Sequence, residues 1–192
     1  NLGVVYDSQG RYDNAESLYL QAQEIWLETL GDRHPNVAQN LTNLGWLYYS
    51  QGRYGEAEPL LLEAIAIRRE VEGDQSPGLA LSLNNLALVY SDLQRDQEAE
   101  ALYVETLAIW RALWGNDHPD VATTLNNLAA LYHYQGRYDE AVDLYRQALE
   151  IYQALWGNNH PDVANTFNNL AVLYFTQRNY PEAERLYQQS LQ

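Results

Sequence analysis

The chain has 192 residues and a formal net charge of −15 at pH 7. Its eleven basic residues are all arginines and form no basic stripe, so we expect neither a nucleic-acid partner nor binding to an anionic membrane surface. The absence of cysteine excludes disulfides and thiolate metal sites. No signal peptide opens the chain and no apolar run is long enough to span a bilayer, which predicts a cytoplasmic protein.

A repeat of 42 residues runs through the whole sequence. An Asn-Leu pair begins at residues 1, 43, 85, 127 and 169, and prolines recur with the same spacing at residues 35, 77, 119 and 161. Such a period predicts a stack of supersecondary units, each of which buries its apolar side only against its neighbours. We therefore expect a single array over residues 1–192, with a partial repeat at 1–34, full repeats at 35–76, 77–118 and 119–160, and a partial fifth repeat at 161–192.

Each repeat is predicted to contain a helix A, a tight turn and a longer helix B. In the second repeat, apolar residues from Val37 to Tyr48 follow the spacing of one helical face, and Gly52 suits the left-handed turn that ends the helix. Residues 1–9 are the end of a first helix A, and 13–30 its helix B. The other predicted helices A lie near 36–51, 78–93, 120–135 and 162–177, and the other helices B near 55–72, 97–114, 139–156 and from 181 to the end.

Two departures from the repeat pattern lie in the third repeat and directly before it. Gln94 replaces the glycine of the turn, and Ser76 replaces the histidine that elsewhere precedes the proline.

The pattern resembles the tetratricopeptide repeat. The residues that carry this resemblance in the second repeat are Leu44, Gly45, Tyr48, Gly52, Tyr54, Ala57, Leu61 and Ala64. The 42-residue form, with Asn-Asn-Leu-Ala and Gly-Arg-Tyr motifs, resembles the type found in kinesin light chains. The resemblance implies an all-α solenoid of antiparallel helix pairs, a right-handed superhelix whose helices A line a concave groove that binds peptides.

The helical wheel leaves one side of each helix A facing away from the predicted core. This side is almost uncharged and carries amides and aromatic rings, which can bond to a peptide backbone and cover its side chains. Thr42 is also placed there. The predicted peptide-binding residues are Asn43, Trp46, Tyr49, Asn84, Asn85, Asn126, Asn127, His133, Tyr134, Asn168, Asn169 and Phe175.

Several of these residues also have a structural interpretation. The asparagines could instead satisfy polar groups of an adjacent helix and so fix the stacking distance, and the aromatic rings could pack against a neighbouring helix A. Two further sets are interpreted as structural. The large rings late in helices B would bury the extra length of those helices: Trp26, Trp110, Trp114, Tyr152 and Trp156. The histidines beside prolines are too far apart to share a metal ion and are expected to cap helices: His34, His118 and His160.

The sequence contains no phosphate-binding loop, zinc-protease motif or nucleophile elbow, so we expect no enzyme activity and no cofactor or metal. Related repeats that bind acidic peptides use basic groove residues, and the predicted groove positions here carry none. We therefore predict a scaffold that binds a neutral or basic protein segment. The alternative is head-to-tail self-association through uncovered ends, where Leu186 and Leu191 are expected to be exposed.

Overall fold

The computed structural model describes residues 2–191, and in that part of the chain all ten regular elements are α-helices. Odd-numbered helices are the helices A of the repeats, and even-numbered helices are the helices B. They are α1 (Leu2–Ser8), α2 (Tyr12–Leu30), α3 (Pro35–Ser50), α4 (Tyr54–Glu72), α5 (Pro77–Asp92), α6 (Asp96–Trp114), α7 (Pro119–Tyr134), α8 (Tyr138–Trp156), α9 (Pro161–Thr176) and α10 (Tyr180–Ser190).

The helices A from α3 onward begin one residue earlier than predicted, because the proline itself occupies the first helical position. The residue before it caps the helix in an extended conformation. The Nδ1 atom of His34 accepts a hydrogen bond from the Asn36 N–H at 3.1 Å, and His118 and His160 do the same for their helices. Ser76 performs this role through its hydroxyl. The capping role predicted for the histidines is confirmed.

The turn between helices A and B reverses the chain through one residue in the left-handed region. Gly52 has φ of 72°, and the next N–H, that of Arg53, donates to the Tyr48 carbonyl at 2.8 Å, which closes the end of α3. Gln94 and Arg178 occupy the equivalent position with φ of 58° and 61°. The turn therefore keeps its geometry even where the repeat lacks glycine.

The core of the second repeat lies between α3 and the helices on either side of it. The predicted core-facing residues of α3 are buried, from Val37 at 0% to Tyr48 at 8% exposure. Burial of an aliphatic side chain such as Leu61 stabilises the fold by about 1.5–3 kcal/mol. Helices α3 and α4 also approach closely at Gly45, where an added Cβ would lie 2.8 Å from the Leu61 Cγ atom. Tertiary packing, rather than helix propensity, therefore holds the pair together.

The helices group into two compact units, Asn1–Ile109 and Trp110–Gln192, with the division inside α6. In the first unit, α3 packs against α2, α4 and α5. In the second unit, α9 packs against α7, α8 and α10. Each helix A named here thus has neighbours on several sides. The single array over residues 1–192 remains a prediction.

An arginine at the A–B turn joins neighbouring repeats in the first unit. The guanidinium of Arg53 lies over the Tyr48 ring, 3.9 Å from its centroid, and forms ion pairs with Glu56 and with Glu16 of α2. The hydrogen bond from Arg53 lowers the pKa of both carboxyl groups. Arg95 repeats the arrangement over Tyr90 with Glu98 and with Glu58 of α4. We refer to these two arrangements as the arginine clamps.

Candidate functional site

In each unit the predicted binding residues lie on one side of the helices A, which are α3 and α5 in the first unit and α7 and α9 in the second; we call this side of the helices A the A-helix face. Its aromatic rings are accessible in both units. Trp46 is 39% exposed, Phe175 57% and Tyr134 84%, whereas Tyr49 and His133 are half-buried. Large rings at these exposures offer apolar contact area to a ligand at little cost in side-chain entropy.

The asparagines of the predicted ladder are less accessible than the rings. Asn84 and Asn85 are buried, at 9% and 7% exposure, whereas Asn168 is exposed. The remaining members, Asn43, Asn126, Asn127 and Asn169, are half-buried. Asn1, which begins the repeated Asn-Leu pattern, lies outside the described residues. The burial of Asn84 and Asn85 favours the helix-stacking interpretation for these two residues.

Polar contacts between consecutive helices A explain part of this burial. Thr42 is 1% exposed, and its hydroxyl oxygen lies 2.8 Å from that of Ser82 in α5, so the prediction that Thr42 faces outward is wrong. In the second unit, Asn126 Nδ2 donates to Thr166 Oγ1 of α9 at 3.3 Å. A helix A is covered by the next helix A as well as by helices B, and the helical wheel had assigned that side to a ligand.

The amide of Asn43 is oriented by a chain of hydrogen bonds. Arg68, which is 4% exposed, forms an ion pair with Glu72 and donates to Gln39 Oε1 at 2.9 Å. Gln39 Nε2 in turn donates to Asn43 Oδ1 at 3.0 Å. The Oδ1 atom of Asn43 is thus fixed as the acceptor of this bond, and its Nδ2 group points away from Gln39 as a donor. Gly78 of α5 makes room for the network, because any side chain there would collide with the Arg68 guanidinium.

Aromatic rings and one carboxylate meet at the end of α3. The ring centroids of Trp46 and Tyr49 are 5.2 Å apart, and those of Tyr49 and Tyr54 are 5.7 Å apart. The carboxylate of Asp92, at the end of α5, lies close enough to both tyrosine hydroxyls to raise their pKa values. We call these four residues the Tyr49 cluster. Burial raises the pKa of Tyr49, with a smaller contribution from Asp92, and Asp92 is the largest cause that raises the pKa of Tyr54. Both phenols therefore stay protonated at neutral pH.

Tyr54 and Asp92 are not among the predicted binding residues, although the helical wheel places Asp92 on the outer side of its helix. Tyr54 opens α4, five residues after Tyr49, on the other side of the turn. Asp92 is separated from Tyr49 by 43 positions, one repeat and one residue, and the packing of α3 against α5 brings them together. The signal available in the sequence was that Asp92 is the acidic member of a repeat position otherwise occupied by Ser8, Ser50, Tyr134 and Thr176.

The corresponding part of the second unit is aromatic without a carboxylate. The His133 ring stacks against Tyr134 at 5.7 Å and lies 5.9 Å from the Tyr138 ring, and its Nε2 atom is 3.3 Å from Thr176 Oγ1. Burial lowers the pKa of His133, so the ring is neutral at pH 7. Phe175 likewise contacts Tyr180. Thr176 stands at the repeat position of Asp92, and this surface is therefore uncharged at neutral pH.

The rings late in helices B form stacks with the capping histidines. Trp110, Trp114 and His118 stack at 4.6 and 4.1 Å, and Tyr152, Trp156 and His160 stack at 5.2 and 4.1 Å. Trp110 and Tyr152 are buried, in agreement with the structural interpretation, but Trp114 and Trp156 keep 42% and 39% of their surface exposed. In the second repeat the same three positions are Arg68, Glu72 and Ser76, so an ion pair replaces the ring stack.

Neither a metal site nor a membrane span is found in the part of the chain that the structure describes. No three His, Asp or Glu side chains in residues 2–191 are grouped as ligands for one ion. No helix within that range is both long and apolar enough to cross a membrane.

Paired helices of this length, repeated with a glycine turn and a proline start, define a helical-repeat protein. A tetratricopeptide repeat family model matches residues 1–70, 49–112, 78–154 and 120–192. The chain belongs to the tetratricopeptide repeat family.

Solved structures of kinesin-light-chain-like repeats are similar to this chain. BtubC (BKLC) from P. vanneervenii is 30% identical with a TM-score of 0.85, over 98% of this chain and 75% of that one. A putative kinesin light chain of P. anserina with nearly identical repeats is 28% identical with a TM-score of 0.79, over 98% and 90% of the two chains. A Rap protein complexed with Competence and Sporulation Factor shares the fold, with a TM-score of 0.84 at 19% identity over 98% of this chain and 50% of that one. No curated protein matches the chain.

Proposed function

We propose that this chain is a non-catalytic interaction scaffold that binds an extended segment of a partner protein along its A-helix face. Tetratricopeptide repeats generally mediate protein–protein interaction, and the proposal adds the surface and the form of the ligand. The observation that carries it is that each unit exposes aromatic rings on its helices A, Trp46 in the first unit and Tyr134 and Phe175 in the second. Asn43, held by Gln39, supplies an oriented amide beside Trp46.

The charge of the chain indicates the chemistry of the partner. The net charge is −15, and the predicted binding residues include no lysine or arginine that could receive an acidic segment. Like charges facing each other across an interface cost affinity and slow association. A neutral or basic segment is therefore the ligand that this surface supports.

The test is selection from a displayed random-peptide library on the parent chain and on two matched variants. Trp46→Ala removes a ring from the A-helix face, and Trp156→Ala removes a ring of the same 39% exposure from the end of a helix B. We expect selected peptides to lose at least about tenfold in affinity for the first variant, as for a buried aromatic contact, and to bind the second like the parent. Equal loss in both variants, or no selected peptide, would contradict the proposal.

Self-association is a second candidate, favoured by apolar side chains that are open to solvent on α1. Leu2, Val4 and Val5 are 55%, 48% and 46% exposed, and Leu191 is 86% exposed. The expectation that Leu186 is also exposed is wrong: it is 4% exposed. It lies with the α9 residues Phe167 and Leu170 beside a cavity of ≈ 250 Å³. A molar mass that rises with concentration in light scattering would support self-association, and a constant monomer mass would exclude it.

A further inference from the structure

We propose that the Tyr49 cluster binds an arginine side chain of the partner segment. The inference rests on the proposed function, because the arginine would be delivered by a segment lying along the A-helix face. It goes further by assigning a side-chain chemistry to one place on that face.

The cluster has both parts of a guanidinium site. Its three rings are contiguous, with Trp46 open to solvent over 39% of its surface, and a planar guanidinium is attracted to the faces of such rings. The carboxylate of Asp92 lies near the hydroxyls of Tyr49 and Tyr54, and an ionised carboxylate has about four acceptor positions. Asp92 therefore keeps acceptor positions for the N–H groups of an arginine.

The chain uses the same chemistry for its own arginines. In each arginine clamp a guanidinium lies over a tyrosine ring, at 3.9 Å for Arg53 and 3.8 Å for Arg95, while glutamates bind its N–H groups. Within residues 2–191, no arginine lies over the rings of the Tyr49 cluster, and none forms an ion pair with Asp92. The cluster thus offers tyrosine rings and a carboxylate, as the clamps do. The arginine that completes such an arrangement would come from the partner segment.

Arginine fits this surface better than lysine. A lysine ammonium is a strongly hydrated point charge, whereas guanidinium is weakly hydrated, stacks on rings and binds a carboxylate with two parallel hydrogen bonds. The equivalent surface around His133 has Thr176 in place of the carboxylate, so we assign no arginine site there.

The experiment titrates the full chain with three capped peptides that differ in one residue. They are acetyl-Gly-Ser-X-Ser-Gly-amide with X as arginine, its uncharged isostere citrulline, or lysine. The readout is the ¹H–¹⁵N signal of the Trp46 indole, assigned with Trp46→Phe. We expect saturable shifts with the arginine peptide, and at least about tenfold weaker binding of the citrulline and lysine peptides, as for loss of a charge-assisted contact.

Two variants separate the site from general attraction to an acidic protein. Asp92→Asn should weaken binding of the arginine peptide by about tenfold and leave binding of the citrulline peptide unchanged. Asp117→Asn makes the same charge change in an exposed loop and should bind like the parent. Circular dichroism of both variants is the control that shows whether they fold like the parent chain. Equal weakening by the two variants, or equal binding of lysine and arginine, would overturn the inference.

The library selection separates this inference from the proposed function. Peptides that depend on Trp46 but contain no arginine, and that bind Asp92→Asn as they bind the parent, would support the scaffold and overturn the arginine site. A failed selection combined with Asp92-dependent binding of the capped arginine peptide would support the arginine site and contradict the extended-segment proposal.

Discussion

Replacing Gln94 by glycine should stabilise the protein. Gln94 is exposed and has φ of 58°, in a turn where Gly52 and Gly136 have φ of 72° and 76°. A residue with a Cβ pays roughly 1–2 kcal/mol in this conformation. Glycine also makes the unfolded chain more flexible, which costs about 0.4–1 kcal/mol. The midpoints of these two ranges differ by about 0.8 kcal/mol, which is the net gain in stability that we expect for Gln94→Gly.

Urea unfolding followed by circular dichroism measures this gain as a higher midpoint with an unchanged slope. For a chain of this size the midpoint of thermal unfolding should rise by roughly 1–4 °C. The control is Leu93→Gly, at the preceding residue with φ of −81°, which relieves no strain; it adds flexibility and removes a side chain that is 40% exposed, and it should destabilise the protein. Arg178→Gly, with φ of 61°, should behave like Gln94→Gly. A lower midpoint for Gln94→Gly would refute the strain argument.

Two further predictions concern packing and pH. Gly78→Ala should destabilise the protein by about 1–3 kcal/mol in urea unfolding, because its methyl group displaces the Arg68 guanidinium. The double variant Gly78→Asp/Arg68→Trp copies Asp120 and Trp110 and should recover part of the lost stability. No recovery would contradict the explanation by displacement of Arg68. His133 has its pKa lowered by burial from 6.5, so stability should be full above pH 6.5 and fall as the pH drops below it. Thermal melts from pH 7.5 to 5.5 should show a shallower fall for His133→Gln, and equal slopes would count against this assignment.

Residue periodicity predicted the helices because each buries one side against a neighbour, and Val37 and Leu41 lie in the core as expected. The positions of Pro35 and Gly52 predicted the helix ends, since each residue has a backbone conformation that suits only one end of a helix. The repeat therefore determines the local fold almost entirely.

The candidate site was predicted less completely, because its composition depends on contacts between repeats. A helical wheel describes one helix at a time, so it left Thr42 and Asn84 facing outward, whereas both are buried. The wheel placed Asp92 on the outer side of its helix but could not pair it with Tyr49, because that proximity comes from the packing of α3 on α5. The exposed rings were predicted because they need only the geometry of their own helix.

The arginine clamps bear on how such a chain can grow by duplication. Each clamp takes its arginine from one repeat and a glutamate from the repeat before it, Glu16 for Arg53 and Glu58 for Arg95. A copied repeat would therefore bring an arginine for the repeat before it and a glutamate for the repeat after it. At the last junction both halves are replaced, with Asn179 at the arginine position and Val142 at the glutamate position. Because the arginine and the glutamate are both replaced by uncharged residues, neither position holds an unpaired charge. This junction therefore lacks the ion pair that joins the repeats nearer the start of the chain.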